Sequence, residues 1–155
     1  MTKIFLRPAA IGDVAFIAQA ILEAVGFENP SAKIVERQIA LCLRPDVLYS
    51  WRNSTMAVCD DQIVGSLTAY DGRRYCRMRK VTFPLIQEMC GVDFSDMVDE
   101  TRAGEYYIDS LYVLPQYRKR GIATTLIRNG IAKARHLRIP KVTLIVNPKK
   151  QAVVD

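Results

Sequence analysis

Asp109-Ser110-Leu111-Tyr112-Val113-Leu114-Pro115-Gln116-Tyr117-Arg118-Lys119-Arg120-Gly121-Ile122-Ala123-Thr124 constrains the chain more than any other stretch. It reads as a strand that runs through a short basic loop into a helix opening at Gly121. Leu111, Tyr112 and Val113 favour a strand, and Pro115 ends the pairing because it has no N–H to donate. Ile122, Leu126, Ile127, Ile131 and Ala134 then recur at helical spacing. A helix that begins with free backbone N–H groups behind three basic residues is an anion site suited to phosphate. Gly121 and Ala123 lack bulk, which lets a pyrophosphate approach the backbone closely.

Two other phosphate loops are excluded. No Gly-Lys-Ser/Thr follows the loop, as a nucleoside triphosphate site requires, and the Gly-x-Gly-x-x-Gly of a dinucleotide fold is absent. Arg118-Lys119-Arg120-Gly121-Ile122-Ala123 instead resembles motif A of the GNAT superfamily of acyl-CoA N-acyltransferases, Gln/Arg-x-x-Gly-x-Gly/Ala. Leu111-x-Val113-x-Pro115 precedes it at the family's usual distance. The plainer alternative is an ordinary basic loop before an amphipathic helix.

A chain of 155 residues is about one domain with one sizeable core. There is no apolar run long enough to span a bilayer and no signal-peptide pattern at Met1-Thr2-Lys3, so a cytoplasmic location is expected. Cys42, Cys59, Cys76 and Cys90 are widely spaced and His136 is the single histidine. No metal site is expected, and reduced buried thiols are the default. His136 lies near a helix C-terminus beside Arg135 and Arg138, where a solvated or capping role is expected. The net charge of +6 suggests an anionic partner. Coenzyme A suits that bias, whereas no nucleic-acid motif is visible.

Along the chain, Ile4-Phe5-Leu6 is a short strand ended by Pro8. Asp13 starts a helix with Val14, Ile17, Ala18, Ile21, Leu22 and Val25 on one face, and Gly26 stops it. Ser31 caps a second helix that runs to about Leu43, before Pro45. Thr55 to Cys59 and Ile63 to Tyr70 form a hairpin around Asp60-Asp61-Gln62. Residues 71–104 are irregular, with a turn at Asp71-Gly72, a basic run of Arg73, Arg74, Arg77, Arg79 and Lys80, and a helix that Pro84 starts or kinks. Leu85, Ile86, Met89 and Cys90 offer that helix a buried face. Glu105 to Val113 is the strand feeding the motif. Lys141 to Val146 is a second strand, parallel to it through the intervening helix.

This order resembles the GNAT fold, as does Arg7-Pro8-Ala9 followed by Asp13. The resemblance implies a single α/β domain over residues 1–155. Its sheet is mixed and mostly antiparallel with a splayed parallel strand pair, flanked by helices, and residues 71–104 are an insertion. The family's C-terminal helix and strands are expected to be missing. Lys150 stands where the family often has Asn, and no Tyr follows to protonate a departing thiolate. The missing sheet edge makes a homodimer an expectation.

The resemblance further implies transfer of an acetyl group from acetyl-CoA to a primary amine of a small molecule or peptide, with no membrane or nucleic-acid partner. Asp109, on the motif strand, is the first candidate for the base that takes the amine proton. Its alternative role is a structural carboxylate bonded to strand or loop N–H groups. Glu105 is the second candidate, or simply exposed. Leu111, Tyr112 and Val113 are expected to carry the strand distortion that frees an oxyanion donor and to pair with the pantetheine arm. The N–H groups of Lys119, Arg120, Gly121, Ile122, Ala123 and Thr124, with the Arg118 and Arg120 side chains, are expected to hold the pyrophosphate. Asp93, Asp96, Asp99 and Glu100 form either an acceptor lid that attracts a cationic amine or a solvated cover. Phe27 is placed in the acceptor pocket or the core. A covalent cysteine intermediate is unsupported, since no Cys has an adjacent His. Two other classes stay open, a non-catalytic acyl-CoA-binding regulatory or scaffolding module and a nucleic-acid-binding protein.

Overall fold

The computed structural model describes residues 3–145. The expected end of the last strand at Val146, and Lys150 with its neighbours, lie outside the described residues. Five strands form one sheet in chain order: β1 (Ile4–Pro8), β2 (Ser54–Cys59), β3 (Gln62–Asp71), β4 (Glu105–Val113) and β5 (Lys141–Leu144). All neighbours run antiparallel except β4 and β5, which are parallel. The α-helices among the described residues are α1 (Val14–Ala24), α2 (Ala32–Leu43), α3 (Tyr75–Cys90) and α4 (Ile122–His136).

Local chemistry accounts for most boundaries. Ser31 Oγ accepts from the Ile34 N–H at 3.2 Å and caps α2. Gly26, at φ +84°, lets Phe27 N–H reach Leu22 O at 2.9 Å and closes α1. Asp60 and Asp61 at φ +49° and +63° make the two-residue turn whose twist matches a hairpin. Asp13 caps no helix N–H. Its carboxylate takes a bidentate bond from Arg7 at 2.7 and 3.0 Å and another from Ala10 N–H, which ties β1 to the start of α1.

The segment between β3 and β4 corrects the sequence reading. Of the two roles read for Pro84, starting a helix is excluded, because α3 already begins at Tyr75, within the basic run, and Pro84 lies inside it. Pro84 and Lys80 are both exposed, so the carbonyl that the missing proline N–H leaves unbonded can face water. Tyr75, Met78, Phe83 and Ile86 anchor the helix against Leu41, Val47, Leu48, Tyr70 and Tyr107. That apolar burial outweighs the proline penalty of about 3 kcal/mol.

The sheet divides the core. Ile122, Leu126 and Ala134 of α4 pack against Val64, Leu67, Tyr106, Ile108 and Val113 on one face. On the other face, α1 and α2 pack around Met56, and α3 covers the end of β3 and β4.

Candidate active site

The site begins with a break in strand register. Thr68 pairs with Ser110 but Ala69 pairs with Ile108, so Asp109 is an extra residue with no partner on β3. Such a bulge shifts side-chain parity by one. Before it, Tyr106 and Ile108 face α4; after it, Leu111 and Val113 do. The distortion expected at Leu111–Val113 therefore lies two residues before Leu111, on the candidate base itself.

The same point ends pairing on the other edge. β4 pairs with β5 only from Glu105 to Ile108, so Asp109–Val113 present a strand edge with no β5 partner among the described residues. Leu114 N–H donates to Val64 O on β3 at 2.8 Å. Alternation then directs the N–H groups of Leu111 and Val113 to the open edge and that of Tyr112 to β3. Within the expected trio, only Leu111 and Val113 are thus available to a ligand's amides or an oxyanion.

Past β4, a single 3-10 turn over Pro115–Tyr117 leads into the basic loop. Lys119 at φ +63° and Gly121 at φ +80° are both left-handed, and no side chain caps α4. The Ile122, Ala123 and Thr124 N–H groups therefore have neither a cap nor an intrahelical acceptor, and alternating handedness of this kind makes an anion-binding concavity. Lys119, Arg120 and Thr124 are exposed, Ala123 is half-buried, and the buried Ile122 side chain leaves only its backbone to the site. Arg118 is engaged with the strand: its Nε donates to Val113 O at 2.9 Å and its guanidinium stacks on Tyr112, 5.6 Å from the ring centre. That ties the loop to the strand, while Arg120 lies over Tyr117 at 5.3 Å.

Among the described residues Asp109 bonds to neither strand nor loop N–H; the Tyr70 hydroxyl donates to its Oδ2 at 2.8 Å. Beside it, the Tyr107 hydroxyl donates to Glu100 Oε2, and the two tyrosine rings meet edge to face with centroids 5.9 Å apart. Burial and the Glu100 charge push the Asp109 carboxyl up to about 7, against the opposing pull of the Tyr70 hydrogen bond. A carboxyl so placed is half ionised near neutrality and suited to taking and returning a proton. Tyr49 stands by the same group, its hydroxyl held protonated by burial and by Asp109 and Glu100.

The acidic stretch divides. Asp93 accepts from Ser95 N–H, Asp99 pairs with Arg79, and Asp96 is exposed. Of the four, only Glu100 acts electrostatically on Asp109. Glu105 is half-buried rather than exposed and accepts from Thr101 Oγ1 at 3.0 Å and Arg102 N–H at 3.3 Å. Tyr49, Tyr70 and Tyr107 could not be singled out from sequence, since nothing local distinguishes them from core aromatics.

A cavity of about 400 Å³ opens between α1, α2 and the end of α3, with Tyr49 on its wall. Ile21, Val25, Phe27, Ile86, Met89 and Phe94 make half of the rest, with Gln38 and Glu28 as polar lining. Phe27 thus lines a pocket. Among the described residues no group of three or more His, Cys, Asp or Glu is arranged to hold a metal, and no helix is long and apolar enough to cross a membrane.

A bulged strand with an open edge, a parallel neighbour and a helix N-terminus behind a basic loop define an acyltransferase of the GNAT class. The acetyltransferase (GNAT) family matches residues 27–154, and the chain belongs to that family. An N-acetyltransferase from Staphylococcus aureus Mu50 shares the fold with a TM-score of 0.77 at 20% identity, over 97% of this chain and 85% of that one. The aminoglycoside N-acetyltransferase AAC(6')-Iy, solved with CoA, superposes at 0.63 and 14% identity, over 99% and 84%. A GNAT family acetyltransferase from Brucella melitensis, in complex with acetyl-CoA, gives 0.54 at 20%, over 98% and 81%. No curated protein matches the sequence.

Proposed function

We propose that the protein transfers an acetyl group from acetyl-CoA to a primary amine, with Asp109 as general base. The observation that carries this reading is the bulge, which sets a carboxyl titrating near 7 beside the open edge of β4. The left-handed loop and uncapped α4 fit a pyrophosphate, supported by Lys119 and Arg120, while Arg118 acts by fixing the loop. The pantetheine amides pair with Leu111 and Val113 as an added strand would.

In the reaction, the amine nitrogen attacks the thioester carbonyl as Asp109 takes an amine proton, directly or through water. The C–N bond forms and the carbonyl oxygen becomes an oxyanion that accepts from an open-edge N–H. A preorganised donor of that kind contributes about 2.7–4 kcal/mol. The C–S bond then breaks, coenzyme A leaves as thiolate and takes a proton from water, and Asp109 returns its proton to solvent. The four free thiols support placement in a reducing cytoplasm.

Thermal unfolding with acetyl-CoA tests the reading. At about a hundred times the dissociation constant the ligand adds ~2.7 kcal/mol. For a chain of this size that is a rise of about 5–10 °C. Release of free thiol with an amine present is the expected second result. No thermal shift with folded protein would overturn the proposal, and a shift without turnover on any amine would favour a non-catalytic acyl-CoA-binding module.

A further inference from the structure

We infer that the acceptor is a primary amine carried on an apolar body, an aryl- or branched alkylamine with a single cationic head, rather than a polyamine or an amino sugar. The inference rests on the acetyltransferase reading and concerns the cavity between α1, α2 and α3. Its volume of about 400 Å³ is more than twice the roughly 150 Å³ that accepts benzene, room for a ring and a short aminoalkyl arm. Hydrocarbon and aromatic side chains form most of its wall, and Glu28 is the only carboxylate that lines it among the described residues.

Two features point the amine end inward. Tyr49 lines the cavity and packs into the same cluster as Tyr70 and Tyr107, whose hydroxyls hold Asp109 and Glu100, and so joins the apolar chamber to the base. Neither Asp109 nor Glu100 has a Lys or Arg at ion-pair distance among the described residues, although other carboxylates, at Asp13, Asp46, Asp99 and Glu105, do. Two carboxylates held by tyrosine hydroxyls and lacking a cation suit one ammonium. Further charges or hydroxyls on the acceptor would lie against Ile21, Phe27, Ile86 and Met89 without partners, which is costly. Asp93, Asp96 and Asp99, which would favour a polycation, line none of this cavity.

The experiment is a turnover comparison on the full chain by thiol release. Phenylethylamine, tryptamine and isoamylamine are set against kanamycin, spermidine and lysine. The apolar amines are expected to exceed the polar ones in kcat/KM by about tenfold or more, the discrimination a hydrophobic pocket supplies. Val25 and Val92 line the cavity yet are 58% and 41% exposed, so V25E and V92E place a charge there without disturbing the core. Either variant should raise KM for phenylethylamine about tenfold and lower that for spermidine. Phenylethylamine alone should also raise the melting temperature of the wild type, and V92E should abolish the rise. Preference for kanamycin or spermidine, or a phenylethylamine KM within about twofold of wild type in both variants, would overturn the inference and leave the acetyltransferase reading intact. If acetyl-CoA neither binds nor turns over, the parent reading fails, and the phenylethylamine melting shift decides the cavity by itself: its presence in the wild type and loss in V92E supports an apolar-amine site, its absence refutes one.

Discussion

The Tyr70 hydroxyl donates to Asp109 Oδ2 at 2.8 Å across 39 residues of sequence, joining the last turn of β3 side chains to the bulge of β4. It favours the ionised carboxylate, while burial and Glu100 favour the protonated form. Removing either influence moves the base in a known direction. Tyr70→Phe should shift the rising limb of the kcat/KM–pH profile above its wild-type position near 7, and Glu100→Gln should shift it below. A profile measured with one amine from pH 5.5 to 9 checks both, and shifts of the same sign would refute the assignment of the limb to Asp109.

Asp109→Asn should abolish most turnover yet stabilise the fold at alkaline pH. The folded carboxyl titrates near 7, above the usual value of about 3.9. Between those values the folded state holds a proton that the unfolded state has lost, so stability falls as pH rises through the window. The stability associated with the neutral acid is complete below pH ~4 and gone above ~7. Asn, being neutral, escapes that loss and still accepts from Tyr70. A gain of at most about 4 kcal/mol at pH 8, shrinking towards pH 5, should appear in chemical denaturation.

Gly121 sits at φ +80° with open space where a Cβ would be, so substitution there is limited by backbone strain rather than crowding. Asn tolerates this conformation better than Glu. Gly121→Asn should therefore keep most of the acetyl-CoA melting shift, whereas Gly121→Glu, which adds strain of about 1–2 kcal/mol and a charge facing the pyrophosphate, should lose it. Calorimetric titration with acetyl-CoA ranks wild type, Asn and Glu in that order. Equal affinities would exclude the α4 N-terminus as the phosphate site.

Asp13 is buried, and the bonds from Arg7 and Ala10 hold its carboxyl below the usual carboxylate range against the opposing effect of burial. The sign is opposite to that of Asp109. Its contribution is present above pH ~4 and is lost as pH falls through the lowered folded value. Asp13→Asn should cost about 1.5–3 kcal/mol at pH 7, the usual contribution of hydrogen bonds to a charged group, and much less in acid. Urea unfolding at pH 7 and pH 3.5 gives the comparison.

Gly72 lies against the Arg102 carbonyl and Thr101, where a Cβ would collide with backbone. Gly72→Ala should destabilise by about 1–3 kcal/mol, as overpacking does, and should loosen the segment that carries Glu100. A lowered melting temperature together with a downward shift of the pH limb is the expected result, because Glu100 would act less on Asp109.

The sequence by itself determined what depends on neighbours in the chain. Ser31, Gly26, Asp60-Asp61 and Gly121 each act within a few residues through capping, left-handed backbone or turn geometry, and the structure has those boundaries where the residues indicate them. The strand–loop–helix around Gly121 was legible for the same reason, and with it the family. Tertiary structure decided the rest. Whether Pro84 starts a helix or lies inside one depended on apolar partners from α2, β3 and β4. Asp109 became a group titrating near neutrality because a register slip against β3 set it beside Tyr70 and Glu100. Register, burial and the charge of distant side chains are long-range quantities, and no local pattern encodes them.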